Sequence, residues 1–206
     1  IDINPDLPIH AQGSVFEGVE LVKLAPGTVT PSWECTDANS CYDHDMNYIN
    51  PRGLALLWVP DGVDRDAPRV LFIHGGSWWW GSPWTGGYAT FAAKLAKRLG
   101  MPVLSIDYTL VPLARFREIL GQVGAALNYL ARHEPLDLLA GDLETTNPAS
   151  TAPPLFIIGD SSGGATAMSA LLAQASRAGL PGAGDAVMSG GVFYSPWINL
   201  LSNSPT

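Results

Sequence analysis

The sequence predicts an α/β fold, a mostly parallel sheet with helices on both faces, and three observations lead there. Strand-sized apolar runs recur from residue 54 onward, amphipathic helical segments separate them, and the runs are almost continuously apolar, as strands buried on both faces are. Parallel neighbours need a crossover long enough to hold a helix, so strictly alternating strands and helices argue for a parallel sheet.

Taken in order, residues 1–50 are rich in Pro, Asn, Asp and Gly, with one short strand candidate at Val19–Leu24, and read as an irregular arm over the body. Residues 51–206 read as the core. Leu54–Val59 is a strand closed by the turn signal Pro60–Asp61–Gly62, and Arg69–His74 is a second strand rich in branched and aromatic residues. Tyr88–Leu99 has helical spacing, with Phe91, Ala92, Leu95, Ala96 and Leu99 on the expected inner face and Gly100 as the stop. Pro102–Ile106 is the next strand. Phe116, Ile119, Leu120, Val123, Leu127 and Leu130 share one face of a helix predicted over 114–133. A polar surface loop at 141–153 precedes the strand Pro154–Ile158, the helix Ser162–Ala178 and the strand Gly190–Tyr194.

With 206 residues, 47% hydrophobic and 15% charged, the chain has apolar material for a real core. No apolar run reaches the length of a membrane span. A net charge of −8 with only Lys23, Lys94 and Lys97 argues against nucleic acid, which draws on clustered cations. The first residue is Ile1, which fits a removed secretion signal and equally a shortened expression product. Cys35 and Cys41, six apart in a loop-like stretch, are spaced for a small disulfide loop in an oxidising compartment, or are two free thiols. The expectation is a secreted protein, otherwise a cytoplasmic one.

Chemistry enters at Gly159–Asp160–Ser161–Ser162–Gly163, which follows a buried strand and opens a helix. That is the context of a nucleophile elbow: the turn is too tight for side chains at the flanking glycines, and Ser161 is held out at the strand's carboxyl end. A serine hydroxyl must lose its proton to a base as it attacks a carbonyl, and the Ser162 N–H at the helix start is placed to stabilise the resulting oxyanion. The bland reading is a Ser-rich, phosphate-binding turn, which lacks the lysine of a P-loop. His74–Gly75–Gly76–Ser77–Trp78 follows an earlier strand, and Gly75 and Gly76 are the expected further oxyanion donors. His74 is either a base or, more in keeping with such loops, a brace for the turn.

With these blocks in place, the chain resembles the hormone-sensitive-lipase-like esterases, and similarly the arylformamidases, of the α/β-hydrolase superfamily. The resemblance rests on His74–Trp78, Asp107–Tyr108–Thr109–Leu110–Val111–Pro112, Gly159–Gly164 and Ser195–Pro196–Trp197–Ile198–Asn199–Leu200, in the family's order. It implies an α/β-hydrolase fold and a serine hydrolase that cleaves a small-molecule carboxylic ester, without cofactor or metal. Ser77 replaces the family's third glycine and brings the loop nearer the formamidase form. Thr109 and Val111 replace the usual arginine and alanine, changes of packing more than of chemistry.

The family's acid and histidine follow the nucleophile, in the order Ser, Asp or Glu, His. After Ser161 the chain has only Asp185, in a loop too early for that role, while His10, His44, His74 and His133 all precede it. The expectation is that roughly 80 to 120 residues carrying the triad acid and His, with the fold's last strands and helices, lie in a missing C-terminal segment or a second chain. Two other readings stay open: an arylformamidase-type amidase, and a non-catalytic binding protein that kept the pocket. Trp78 and Trp79, in the cluster that continues through Trp80 and Trp84, are candidates for a substrate-binding aromatic wall, or else pack the loop on the body. Cys41–Tyr42–Asp43–His44–Asp45 holds metal-ligating residue types, but neighbours in sequence rarely converge on one ion and no metal is expected.

Overall fold

The computed structural model describes residues 16–25, 28–29, 54–85, 87–142, 153–176 and 179–197. Six strands form one sheet: β1 Val19–Leu24, β2 Ala55–Pro60, β3 Arg69–Ile73, β4 Val103–Ile106, β5 Leu155–Asp160 and β6 Met188–Tyr194. Their spatial order is β1-β2-β4-β3-β5-β6. The first three in that order are antiparallel neighbours, and β4, β3, β5 and β6 run parallel. The helices are α1 Tyr88–Leu99, α2 Phe116–Arg132, α3 Pro135–Leu139 and α4 Ser162–Ala175. None is long and apolar enough to cross a membrane.

Side chains alternate across each strand, and the two resulting layers are both apolar. Leu57, Val59, Leu71, Ile73, Leu104 and Ile106 pack with Ile119, Val123 and Leu127 of α2 and Ala167 and Ala170 of α4. On the opposite face Leu56, Trp58, Val70, Phe72, Val103 and Ile158 pack with Ala89, Ala92, Ala93 and Ala96 of α1. Here the structure corrects the expected inner face of α1. Its buried stripe is alanine, which lets the helix axis lie close to the sheet, while Phe91 and Leu99 are exposed. Leu95 and Leu99 instead border an apolar groove of about 410 Å³ on this face, beside Phe156, Val192 and Tyr194. The last strand, β6, is open by comparison with the others, with Val192 and Tyr194 about half exposed.

Two further corrections concern segment limits. The described part of the expected arm is integral to the sheet: β1 pairs along its whole length with β2, and Phe16 stacks on Trp58 at 5.2 Å. Helix α3, five residues long, was not expected; Glu134 caps it and Pro135 starts it, the position where a missing N–H costs nothing. The Cys35–Cys41 pair, residues 41–45 and most of the 141–153 loop lie outside the described residues.

A buried ion pair marks the end of the sheet opposite the Ser161 turn. The Arg69 guanidinium donates to Glu134 Oε2 at 2.8 Å and to the carbonyls of Leu130 and His133, with both side chains inaccessible. Burial lowers the Arg69 pKa, and Glu134 opposes that by favouring the charged form. In the β3–β5 register Arg69 is level with Leu155, six residues before Ser161, about 20 Å along the strand.

Candidate active site

The turn at Ser161 is imposed by backbone crowding. Ser161 has φ 53° and ψ −118°, a left-handed conformation that side-chain-bearing residues rarely adopt, and it is the cap from which α4 starts. A Cβ on Gly159 would run into the Gly163 carbonyl, and one on Gly163 into the carbonyls of Ile73 and His74. Glycine at both positions is thus a contact requirement, as the motif implies. The neighbouring strand holds the strained residue: Ser161 N–H donates to Tyr194 O at 2.9 Å, and Trp197 N–H donates to Ser161 O at 3.2 Å. Helix α4 has no acidic residue in its first turn and no side-chain cap, and its positive end lies at Ser161 and Ser162.

The 74–78 loop lies beside this turn. His74 is buried; its Nδ1 faces Gly75 O at 2.7 Å, and its ring stacks on Tyr108 at 4.3 Å. Tyr108 in turn donates to His74 O at 3.0 Å. These contacts make His74 a brace for the turn. Gly76 has φ 112°, and a Cβ there would strike the Trp80 carbonyl, so the loop closes on itself only through glycine. Ser77 and Trp78 continue it with positive φ of 55° and 60°.

The structure changes one expected donor. Gly75 N–H is taken up by the Tyr88 hydroxyl at 3.1 Å, and that hydroxyl donates to Asp160 Oδ2 at 2.7 Å. The Gly75 N–H is therefore engaged by a side chain. Further along, Trp78 N–H donates to Ser162 Oγ at 3.3 Å, while Trp79 and Trp80 N–H donate to Gly76 O. Among the described residues, the hydrogen bonds of this loop leave out the N–H groups of Gly76 and Ser77.

Tyr88 carries no local sequence signal, since it is simply the first residue of α1. Burial first, then its bond to Asp160, pushes its phenol up to about 12.

Trp78 and Trp79 part company. Trp78 stacks on Trp197 and meets Phe116 edge-on, both at 5.8 Å, and its indole N–H donates to Thr166 Oγ1 at 2.8 Å. That is packing of loop against α4, with one aromatic edge left over. Trp79 is 47% exposed, so its ring stands outside the packed loop. Where the family's arginine would stand, Thr109 exchanges two 2.8 Å hydrogen bonds with Gln122 of α2, which anchors the 107–112 segment. Val111 N–H reaches Trp78 O at 2.8 Å from that segment.

Of the two described histidines, neither offers a free ring beside Ser161. His133 stacks on Tyr129 at 3.9 Å with Nδ1 on Tyr129 O, as expected for a histidine at the carbonyl end of a helix. Its own carbonyl accepts from Arg69, which puts it at the far end of the sheet. Asp185 is exposed on the surface.

Comparison with known proteins agrees with this geometry. The chain is 34% identical over 83 residues to an esterase of Gibberella moniliformis, covering 40% of this chain and 26% of that protein. It is 32% identical over 109 residues to rabbit arylacetamide deacetylase, covering 52% and 25%. Against bovine hormone-sensitive lipase it is 31% identical over 114 residues, covering 55% and 13%. The solved structure of an esterase from the archaeon Pyrobaculum calidifontis superposes with a TM-score of 0.57 at 23% identity, over 91% of this chain and 46% of that one. A thermostable esterase from Pseudomonas putida gives 0.55 at 20%, over 88% and 44%. The chain thus spans about a quarter or less of these curated relatives and just under half of these solved structures. The model of the alpha/beta hydrolase fold family matches residues 70–206, two-thirds of the sequence, and the chain belongs to that family.

Proposed function

We propose that this protein is a serine hydrolase that cleaves a small-molecule carboxylic ester through an acyl-enzyme on Ser161. The observation that carries the reading is the strained Ser161, held at the carboxyl end of β5 where α4 starts and in contact range of the 74–78 loop. Its hydroxyl attacks the ester carbonyl, the carbonyl oxygen takes up the charge, and the N–H groups of Gly76, Ser77 and Ser162 receive that charge. The positive end of α4 adds to them. Collapse of the tetrahedral species expels the alcohol and leaves an acyl-serine, which water then hydrolyses.

The base and its orienting acid come from outside the described residues, in a segment or chain beyond the 206-residue sequence that supplies the triad Asp or Glu and His. The commitments of His74 and His133, the two histidines among the described residues, support this. Trp79, exposed in the segment that continues the loop, is the aromatic side chain proposed to meet an incoming acyl or aryl group.

The test is a comparison of kcat/KM for p-nitrophenyl esters of two to eight acyl carbons with that for an aryl formamide, using protein expressed from its complete reading frame. The proposal expects ester hydrolysis that Ser161→Ala lowers by at least about 10⁴-fold. Preference for the formamide would move the reading to an amidase, and binding without turnover would make the protein a non-catalytic member.

A further inference from the structure

The 74–78 loop is tied to the Ser161 turn at both of its ends. At one end the Tyr88 hydroxyl, on the first residue of α1, accepts from Gly75 N–H at 3.1 Å and donates to Asp160 Oδ2 at 2.7 Å. At the other, Trp78 N–H donates to Ser162 Oγ at 3.3 Å, and the Trp78 indole N–H donates to Thr166 Oγ1 at 2.8 Å. Asp160 and Ser162 are the two neighbours of Ser161. The N–H groups of Gly76 and Ser77 therefore sit between two clamps that both end on the residues flanking the serine.

We infer that Tyr88 and Asp160 form a positioning pair that holds the oxyanion donors of the loop in register with Ser161, an inference that rests on the serine-hydrolase reading. The Tyr88 hydroxyl is well suited to the task because both of its hydrogen-bonding roles are used, one on each side of the gap. The fit at Gly75 is equally tight: a Cβ there would come within 2.8 Å of Tyr88 Oη and within 2.9 Å of the Asp160 carbonyl. Glycine at this position is what lets the pair approach the loop. With its phenol pushed up to about 12, Tyr88 keeps its proton throughout the range in which a serine hydrolase works, so the clamp does not open with pH.

The positioning matters because oxyanion bonds form fully only in the transition state. A loop displaced by a fraction of an ångström still binds the ester but stabilises the tetrahedral species less. Loss of the pair should therefore be read in kcat, with KM spared. A Tyr88 that merely packed α1 on the sheet would behave differently. Its ring lies 5.8 Å from both Phe72 and His74, contacts that Tyr88→Phe retains.

The experiment measures kcat, KM and inhibition by an aryl trifluoromethyl ketone, which binds serine hydrolases as a tetrahedral adduct, in protein expressed from its complete reading frame. Tyr88→Phe is expected to lower kcat by about 10- to 30-fold and to weaken the ketone in parallel, with KM within about twofold. Asp160→Ala is expected to match it. Asp160→Asn, whose Oδ1 still accepts from Tyr88, should keep kcat within about threefold of the parent. The double variant Tyr88→Phe with Asp160→Ala should be no worse than either alone, because one clamp cannot be broken twice. If Tyr88→Phe does not fold, the two Asp160 variants carry the same test with the ring in place.

Unchanged kcat in Tyr88→Phe, or a loss that follows the folded fraction and leaves ketone affinity intact, overturns the positioning role while the hydrolase reading stands. A parent protein that takes no fluorophosphonate at Ser161 and hydrolyses no ester overturns both.

Discussion

The Ser161 turn and the 74–78 loop lie side by side, joined by the Trp78 N–H bond to Ser162 Oγ, yet they are held in different ways. The turn is held by its own backbone: two glycines whose replacement would drive a Cβ into a carbonyl, and a serine in a left-handed conformation between them. The loop also needs glycine, since a Cβ on Gly76 would strike the Trp80 carbonyl, but it is anchored in addition by side chains from elsewhere, Tyr88 at 13 residues' distance in sequence, Ser162 at 84 and Thr166 at 88. Local crowding restricts which residues can stand at each position and so leaves a motif. Long-range hydrogen bonds leave none. The pattern around Ser161 consequently carries more information about the site than the pattern around Gly75 does.

The largest effect comes from breaking the turn. Gly163→Ala places a methyl against the carbonyls of Ile73 and His74, both backbone atoms of the central strand's end, which cannot yield without moving β3. A loss of more than about 3 kcal/mol is expected, measured by urea denaturation, with activity lost alongside. A milder substitution on the loop side gives the contrast. Thr166→Val removes the acceptor of the Trp78 indole, leaving a half-buried donor unpaired for about 1–2 kcal/mol, and kcat should fall several-fold as the loop loosens. If Thr166→Val proved as damaging to folding as Gly163→Ala, the distinction between backbone-held and side-chain-held regions would fail.

The same distinction explains what could be read from the sequence. Apolar periodicity placed the strands and long helices, because it records which face of each element is buried. It misjudged α1, where Leu95 and Leu99 flank an open groove and alanines form the contact, since periodicity counts apolarity and ignores size. Helix α3 is too short to show a period. Strand β6 begins two residues early, at Met188, because Ser189 and Gly190 hide its start. In the site, the motif around Ser161 marks the tight turn between β5 and α4, and the crowding at Gly159 and Gly163 accounts for it. The Tyr88 contact to Gly75 left no signal because Tyr88 is an unmarked helix residue, and those of Trp78 left none because Thr166 and Trp197 meet it from distant parts of the chain.

A further effect is a titration. Tyr88 ordinarily titrates at 10.0, and in the folded protein its proton is held up to about 12. The folded state thus binds more protons in that window. The stabilisation is complete below pH 10 and is lost as pH rises through about 12, whereas Tyr88→Phe should lack this part of the alkaline slope. Chemical denaturation of both proteins at steps between those limits would show it, and parallel curves would mean that the Tyr88 hydroxyl is no better held than one in water.

The most direct test of the central claim is to treat the protein, expressed from its complete reading frame, with a fluorophosphonate and map the adduct by peptide mass. An activated serine reacts quickly and an ordinary one does not. The account predicts one adduct, on the peptide that contains Ser161, absent from Ser161→Ala and formed more slowly in Tyr88→Phe. An unlabelled Ser161, or an adduct on another serine, would contradict it.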